Sequence, residues 1–388
     1  MAATPMQRVL SLDVLRGITI AFMIMVNNNG GSGSWGFMNH AAWNGLTPTD
    51  LVFPTFVFVM GASIVFAFEA RLSRGATRAQ LAWHTLRRAA TIFVLGLVVN
   101  GFPMFEMAHY RIYGVLQRIA VCYLAVGLFY LLDQRVSSKI AVLVAILGGY
   151  WVLLRWVPVP GAGMPGRDFP FMDQTYNLTS WLDRLLMPHH LYLNWADPGL
   201  HNVRDPEGLL SDLPAIGTAL LGLLTGLWLR GRKAIPAKTL GLLGACVACL
   251  ATGYLWSIWF PLNKNLWTSS FVLAAAGWSL AVLTLAFWAV EQRGWVKGRG
   301  RAVLWPWLVF GSNAIAIYMF SELLPGILDR IHFMAGGRRT NVEGWLVHDV
   351  FGSFLNPGWA AFGWSFSFAL VCFIPAWLLY RKRVFIKV

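Results

Sequence analysis

The sequence contains few charged residues and few cysteines. Charged residues make up 12% of the 388 positions, whereas hydrophobic residues make up 57%, and the mean hydropathy is +0.57. This balance excludes an ordinary soluble domain and predicts a protein that crosses a lipid bilayer several times. No P-loop motif supports a nucleotide-binding fold.

Convincing metal-binding patterns are also missing. The four cysteines are Cys122, Cys246, Cys249 and Cys372. Cys246 and Cys249 have CxxC spacing, but no second ligand pair or nearby histidine accompanies them. The histidines and acids of segment 158–208, which include Asp197 and His201, lack the spacing of metal ligands on a helix. We therefore predict that the cysteines pack inside the membrane and that there is no metal site.

Apolar runs predict an all-α bundle of about ten transmembrane helices, because ~20 residues of helix span the ~30 Å hydrocarbon core. The runs lie at roughly 9–28, 47–69, 85–102, 112–132, 139–157, 209–229, 239–260, 266–290, 305–325 and 358–380. We interpret residues 1–388 as one transmembrane domain with an extracytoplasmic loop at about 158–208.

Basic residues indicate how this bundle is oriented. Of the 31 Lys and Arg, 20 lie in alternate connections and tails. These segments are residue 8 and residues 71–88, 135–139, 230–238, 293–301 and 381–387. The alternation follows the positive-inside rule and predicts that both termini face the cytoplasm. The net charge of +14 then reflects topology, so we exclude nucleic acid as a partner.

The stretch 40–54 places an imidazole and a carboxylate at the start of the second apolar run. Thr47, Pro48 and Asp50 form a helix-start pattern, so Asp50 is either a cap or a functional group. His40 precedes this pattern at the predicted outer boundary. There it either stays solvated or faces a cavity as a base or nucleophile, since imidazole changes protonation near neutral pH.

Polar side chains inside the predicted spans are costly and need partners. Asp13 and Arg16 are three residues apart, so they either pair with each other or serve a site. Arg118 either marks a pathway or an anionic ligand, or pairs with Asp13 or Glu322. Asn313 and Glu322 in the ninth run indicate hydrogen bonds between helices or a cavity.

Six blocks of the sequence together resemble the membrane acetyltransferases related to heparan-α-glucosaminide N-acetyltransferase, including their bacterial relatives. The blocks are residues 11–17, 40–54, 111–123, 205–226, 261–268 and 310–313. The block His-Ala-Ala-Trp-Asn-Gly-Leu-Thr at 40–47, with Asp50 and Pro54, is specific. The resemblance implies transfer of an acetyl group from cytosolic acetyl-CoA to a small amino sugar or glycan end beyond a bacterial inner membrane.

The resemblance also implies residue roles. It identifies His40 as the active-site histidine, acting as a general base or a transient acyl acceptor, with Asn27 beside it. Asp13 or Asp50 would then support the site, and Asn27 or Asn313 would donate to the developing oxyanion. The arginines among the candidates for contact with CoA would hold its phosphates. Those candidates are Arg87, Arg88, Gln117, Arg118, Lys264, Ser312 and Asn313.

Two alternative functions stay open. Ten spans with buried Arg118, Asn313 and Glu322 also fit a sugar or glycolipid transporter or flippase, although no inverted repeat is evident. An O-acetyltransferase of a surface polysaccharide would use the same donor and a different acceptor atom. Gly222 and Gly226 have GxxxG spacing, which allows close helix packing and a homodimer.

Overall fold

The structure, a computed structural model, describes residues 9–192, 202–296 and 300–386, which are mostly helical and contain little sheet. Nine of the described helices are long and apolar enough to cross a membrane, and a bent helix pair can supply a tenth span. The prediction of about ten transmembrane helices is confirmed. The orientation of the termini stays a prediction. Four of the predicted cytoplasmic charges lie outside the described ranges, namely Arg8, Lys297, Arg299 and Lys387. Two residues of the predicted extracytoplasmic loop, Asp197 and His201, also lie outside them.

The helices follow one another through mostly short connections. In the first half of the chain they are α1 (Leu10–Asn27), α2 (Val52–Leu72), α3 (Arg78–Gly101), α4 (Val115–Leu132), α5 (Val136–Trp156) and α6 (Leu178–Leu186). In the second half they are α7 (Asp212–Arg230), α8 (Ile235–Trp256), α9 (Ser269–Phe287), α10 (Gly300–Ser312), α11 (Ala314–Leu328), the single turn α12 (Val342–Gly344) and α13 (Pro357–Arg381). Side-chain caps begin several of them, such as Thr77 before α3 and Asn356 before α13.

The described chain forms two compact units. The first unit comprises the described residues of Trp43–Gly45 and Val57–Thr284. The second unit comprises those of Val9–Ala42, Leu46–Phe56 and Leu285–Val388. The interpretation of residues 1–388 as one domain stays a prediction.

In the first unit, two glycines of α7 allow it to pack closely on α2. A Cβ atom at Gly222 would lie 1.9 Å from the carbonyl oxygen of Phe58. One at Gly226 would lie 2.6 Å from the carbonyl oxygen of Ala62. The close packing predicted from the GxxxG spacing is confirmed, because any larger residue at either position would push the two backbones apart.

In the second unit, α1 packs against α10, α11 and α13. The ninth apolar run, predicted as one helix, consists of α10 and α11, which meet at an angle of 77°. Asn313 lies at the break, with φ −130° and ψ 41°. Its amide contacts the backbone after α13, where Nδ2 donates to the Val384 carbonyl at 3.0 Å and Oδ1 accepts from the Ile386 N–H at 2.8 Å. These bonds satisfy both polar atoms of the Asn313 side-chain amide at the break.

A small hairpin precedes α13 in the second unit. Its strands are β1 (His332–Ala335) and β2 (Arg338–Asn341), which pair antiparallel. Gly336 and Gly337 join them with φ of 57° and 79°, a left-handed conformation that glycine adopts without a steric cost. The chain then passes through α12 and a π-helical turn (Trp345–Val350) before α13 begins.

Candidate active site

His40 and Asp50 lie together in the second unit, in the connection between α1 and α2. Nδ1 of His40 is 2.7 Å from Oδ1 of Asp50. The Asp50 side chain is 1% exposed, whereas the His40 side chain is 49% exposed. A buried carboxylate therefore supports an accessible imidazole, which is the arrangement that orients the histidine in many acyl-transfer sites.

The other carboxylate oxygen of Asp50 is held by the local chain. Oδ2 accepts hydrogen bonds from the backbone N–H of Ala41 at 3.1 Å and of Thr47 at 2.9 Å. The Thr47 hydroxyl lies 3.0 Å from the same oxygen. Asp50 thus caps the turn before α2 and contacts His40 at the same time. The two roles that the sequence left as alternatives are combined in one side chain.

This pairing determines which nitrogen of His40 is basic. When Nδ1 carries a proton and donates it to Asp50, the ring lone pair is on Nε2. The carboxylate also stabilises the positive charge that the ring gains on taking up a second proton. His40 can therefore accept a proton, or attack an acyl carbon, through Nε2.

Side chains in the loop before His40 bond to one another. Asn29 donates from Nδ2 to Oδ1 of Asn39 at 2.8 Å, and the Ser34 hydroxyl lies 3.1 Å from the same oxygen. Asn39 directly precedes His40. Gly30 permits the turn, because its φ is 78° and a Cβ there would lie 2.7 Å from the Cα of Ala361. These contacts fix the backbone that carries His40.

Asn27, predicted beside His40, contacts a different residue. Its Nδ2 donates to Oε1 of Glu322 on α11 at 2.8 Å. The bond joins α1 to α11 and gives Glu322 the interhelical role that was one alternative for it. A role for Asn27 in stabilising an oxyanion stays a prediction.

Asp13, the other acid predicted to support the site, lies near the opposite end of α1. The 14 residues from Asp13 to Asn27 cover about 21 Å along the helix axis at ~1.5 Å per residue. Oδ1 of Asp13 accepts a hydrogen bond from Nη1 of Arg16 at 3.0 Å, so the predicted pairing of these two residues is confirmed. Gly311, two residues before the break, also contacts Asp13. The structure thus brings Asp50 to His40. It places Asp13 in the first turn of α1, next to the segment that ends in Ser312 and Asn313.

Arg118 lies in the first unit and is fully buried. Nε donates to Oδ1 of Asp212 at 3.0 Å, and the guanidinium lies 4.8 Å from the Trp267 ring centroid. Its Nη atoms donate to the carbonyl oxygens of Pro206 and Gly208 and to the hydroxyl of Ser211. The structure therefore gives Arg118 an acidic partner, Asp212, that the sequence analysis did not consider. A contact with CoA stays a prediction.

Arg111 and Lys264 belong to a second group of charges in the first unit. Arg111 donates to Asp205 at 2.9 and 2.5 Å and to Glu207 at 2.6 Å, and Nζ of Lys264 is 3.9 Å from Glu207. Burial by itself raises the pKa of Glu207, but Lys264 and Arg111 outweigh burial and lower that pKa to about 2. Glu207 is therefore ionised at neutral pH. Lys264, a candidate for contact with CoA, has a structural partner.

The remaining candidates for contact with CoA lie on α3 and α4. Arg87 is exposed, and the Arg88 guanidinium lies 4.8 Å from the Tyr123 ring centroid. Within the described ranges, Nε of Arg88 and Oε1 of Gln117 are buried without a hydrogen-bond partner. Unsatisfied buried polar atoms are uncommon, so both atoms need a further partner such as a ligand or water.

The acids that hold Arg111 and Arg118 are the contacts that sequence reasoning missed. Two of these acids, Asp205 and Glu207, lie just before α7, and the third, Asp212, is its first residue. Each follows its arginine partner by about 95 residues. Their clustering just before an apolar run was the available signal. Neither spacing nor periodicity relates residues so far apart in the chain.

Comparison with known proteins shows which family this chain resembles. A family model described as "Heparan-alpha-glucosaminide N-acetyltransferase, catalytic" matches residues 8–160. The heparan-alpha-glucosaminide N-acetyltransferase of Homo sapiens is 30% identical over 359 residues, which cover 81% of this chain and 53% of the human protein. The chain is therefore similar to this family along most of its length. The Mus musculus protein of the same name is 28% identical over 360 residues, covering 82% of this chain and 54% of the mouse protein.

The match to the family model contains the His40–Asp50 pair and all three candidate arginines, Arg87, Arg88 and Arg118. The described apolar helices and the similarity to this family together indicate a multi-pass membrane protein. The chain spans about half the length of the human and mouse relatives.

Proposed function

We propose that the protein is a transmembrane acetyltransferase. It transfers an acetyl group from cytosolic acetyl-CoA to an amino sugar of the glucosamine type on the extracytoplasmic side of a bacterial inner membrane. The observation that carries the proposal is the contact between half-exposed His40 and buried Asp50, in a chain related to N-acetyltransferases.

The proposed chemistry is acyl transfer with His40 as its centre. In direct transfer, His40 removes a proton from the acceptor amine as the nitrogen attacks the thioester carbonyl carbon, and the C–S bond breaks to release the CoA thiolate. In two-step transfer, Nε2 attacks first and releases the thiolate, and the amine then attacks the acetylated imidazole. Both routes need the basic Nε2 that the Asp50 contact favours.

We assign the phosphates of CoA to Arg87 and Arg88 in preference to the other candidates. Arg87 is exposed, and the buried Nε of Arg88 lacks a partner within the described ranges. Guanidinium groups bind phosphates through paired N–H donors. Arg118, by contrast, already donates to an acid, a hydroxyl and two carbonyl oxygens. It supports CoA binding less well than the arginines of α3.

The first test is acetyl transfer by the detergent-purified protein. Labelled acetyl-CoA and glucosamine are supplied, and acetylated sugar is followed by mass spectrometry for wild type, His40→Ala and His109→Ala. We expect product from wild type and from the control His109→Ala, since His109 is an exposed histidine outside the proposed site. His40→Ala should lose about a thousandfold in rate, within the usual range for a general base.

Other results of this assay would show which part of the proposal is wrong. If wild type consumes acetyl-CoA but leaves glucosamine unchanged, the acceptor is wrong, and a polysaccharide hydroxyl becomes the next acceptor to test. Acetyl transfer by His40→Ala at the wild-type rate would remove His40 from the mechanism. Labelled acetyl-CoA without sugar separates the two routes, because only the two-step route leaves an acetyl group on the protein.

A transporter or flippase is the second candidate, favoured by one observation. The break between α10 and α11 places a polar residue, Asn313, at an interruption of a membrane helix, as transporters do at their binding sites. In this protein the Asn313 amide bonds to the backbone of Val384 and Ile386. Failure of the wild type to bind or hydrolyse acetyl-CoA would favour the transporter.

A further inference from the structure

A cavity of about 560 Å³ lies in the second unit, next to the loop that carries His40. Its polar lining includes Glu343, His348 and Asn341. Glycines of the α1–α2 connection and apolar residues near the start of α13 complete the walls. These other lining residues include Gly30, Gly31, Gly33, Val347, Leu355 and Pro357. The volume lies in the range of small-molecule sites.

The cavity and His40 share one hydrogen-bonded loop. Gly30, Gly31 and Gly33 form part of the cavity wall. The bonds from Asn29 and Ser34 to Asn39 close this loop directly before His40. A ligand in the cavity therefore contacts the same loop that positions the imidazole.

Glu343 gives the cavity a preference for positive charge. Among the residues that the structure describes, the group that acts electrostatically on its carboxylate is another acid, Asp329, and no hydrogen-bond donor or cation acts on it. Burial raises the pKa of Glu343, and the nearby carboxylate of Asp329 raises it further. Both effects indicate that the ionised carboxylate lacks a compensating cation. A bound ammonium group would supply that cation.

We propose that this cavity binds the acceptor as a cationic amino sugar, with Glu343 as the counter-ion of its ammonium group. Before acetyl transfer the bound ammonium group releases one proton to water, and His40 takes the second proton as the neutral nitrogen attacks. The inference rests on the proposed function and names the acceptor site for it. Asn341 and His348 supply hydrogen-bonding groups for hydroxyls, and Val347, Leu355 and Pro357 supply apolar surface for the sugar ring. The acetylated product is neutral at this nitrogen, so it loses the contact with Glu343 and binds more weakly than the substrate.

Binding to the full-length protein in detergent tests this proposal without any turnover. Glucosamine, glucose and N-acetylglucosamine are titrated by calorimetry into wild type, Glu343→Gln and Asp349→Asn. Asp349→Asn is the matched control, because Asp349 pairs with Arg338 in the same segment and is absent from the cavity lining. We expect glucosamine to bind Glu343→Gln at least about tenfold more weakly than wild type, and to bind the control as tightly as wild type.

Two further measurements separate a lost contact from a lost fold. Leu355→Trp fills the cavity and should abolish glucosamine binding while the thermal midpoint stays near that of wild type. In turnover, Glu343→Gln should raise KM for glucosamine about tenfold and leave KM for acetyl-CoA unchanged. Equal binding of glucose and glucosamine by wild type, or unchanged glucosamine binding by Glu343→Gln, would overturn the proposal.

The proposal and the enzyme assignment fail in different ways. Glucosamine binding that depends on Glu343 without acetyl transfer would keep the site and reject the transferase. Acetyl transfer with an unchanged KM for glucosamine in Glu343→Gln would keep the transferase and reject the site.

Discussion

The His40–Asp50 and Arg118–Asp212 pairs contain similar contacts in different environments. Each joins a nitrogen base to a buried carboxylate at 3.0 Å or less. The His40 side chain is half exposed, whereas that of Arg118 is fully buried and donates to several further groups. A pair whose two members are both buried belongs to the fold. The His40–Asp50 pair buries its acid and leaves its imidazole half exposed, and it is the pair that we assign to chemistry.

The largest expected effect is on stability, from Arg118→Ala. The substitution leaves the Asp212 carboxylate buried without its cation, which costs about 3–5 kcal/mol of unfolding free energy. Thermal unfolding in detergent measures this loss. The double variant Arg118→Ala, Asp212→Asn should recover part of it. If Arg118→Ala keeps the wild-type midpoint but binds acetyl-CoA weakly, Arg118 is a ligand contact, and the comparison drawn above fails.

Asp50→Asn should act on activity. The amide can no longer stabilise the imidazolium, so we expect acetyl transfer to fall roughly a hundredfold, or about 2.7 kcal/mol. In Asp50→Asn the side-chain oxygen has to replace Oδ2 to accept the hydrogen bonds from the Ala41 and Thr47 N–H groups. An unchanged thermal midpoint would show that the turn before α2 still folds. Activity close to that of wild type would show that His40 works without its acid.

Asp183 in the first unit predicts a dependence of stability on pH. Burial raises the pKa of Asp183 to about 7, and the carboxylate of Asp205 adds to the shift. An unfolded aspartate loses its proton near pH 3.9, so the folded state holds an extra proton between about pH 4 and pH 7. Unfolding free energy from this group therefore decreases as pH rises through that window, by at most about 2 kcal/mol between about pH 5.5 and pH 7.

The measurement for Asp183 is thermal unfolding at several pH values for wild type and Asp183→Asn. The variant stays neutral, so its stability should change less over the same range. An equal slope in both proteins would assign the pH dependence to other groups.

Arg167→Ala should have the smallest effect. Arg167 contacts Asp168 at 2.9 Å, but its side chain is 75% exposed, so water replaces the lost contact. We expect no measurable change in thermal midpoint. A clear destabilisation would mean that burial is not what distinguishes the charge pairs of this protein.

Local patterns predicted the parts of the fold that depend on neighbouring residues. The positions of the spans followed from apolar length, and the Asp13–Arg16 contact followed from helical spacing. The same stretch contained both His40 and Asp50. From the sequence, helix capping and a functional role were alternatives for Asp50. The structure shows that Oδ2 caps the turn before α2 while Oδ1 contacts His40.

Long-range contacts determined what the sequence left open. The Arg118–Asp212 pair joins residues 94 apart, and the cavity combines a loop near residue 30 with a segment near residue 350. The break at Asn313 lies within an uninterrupted apolar run, which is why hydropathy predicted one helix there. Hydrogen bonds between the Asn313 side chain and the backbone of Val384 and Ile386 stabilise this polar break.

The Asn313 contact also constrains how the protein is made. Val384 and Ile386 follow α13 and are synthesised after every other described span. Until they emerge, the chain already inserted in the membrane carries an amide at the α10–α11 break without its final partners. The second unit, which holds His40, therefore completes this contact only once residue 386 has been synthesised, later than all the described residues of the first unit.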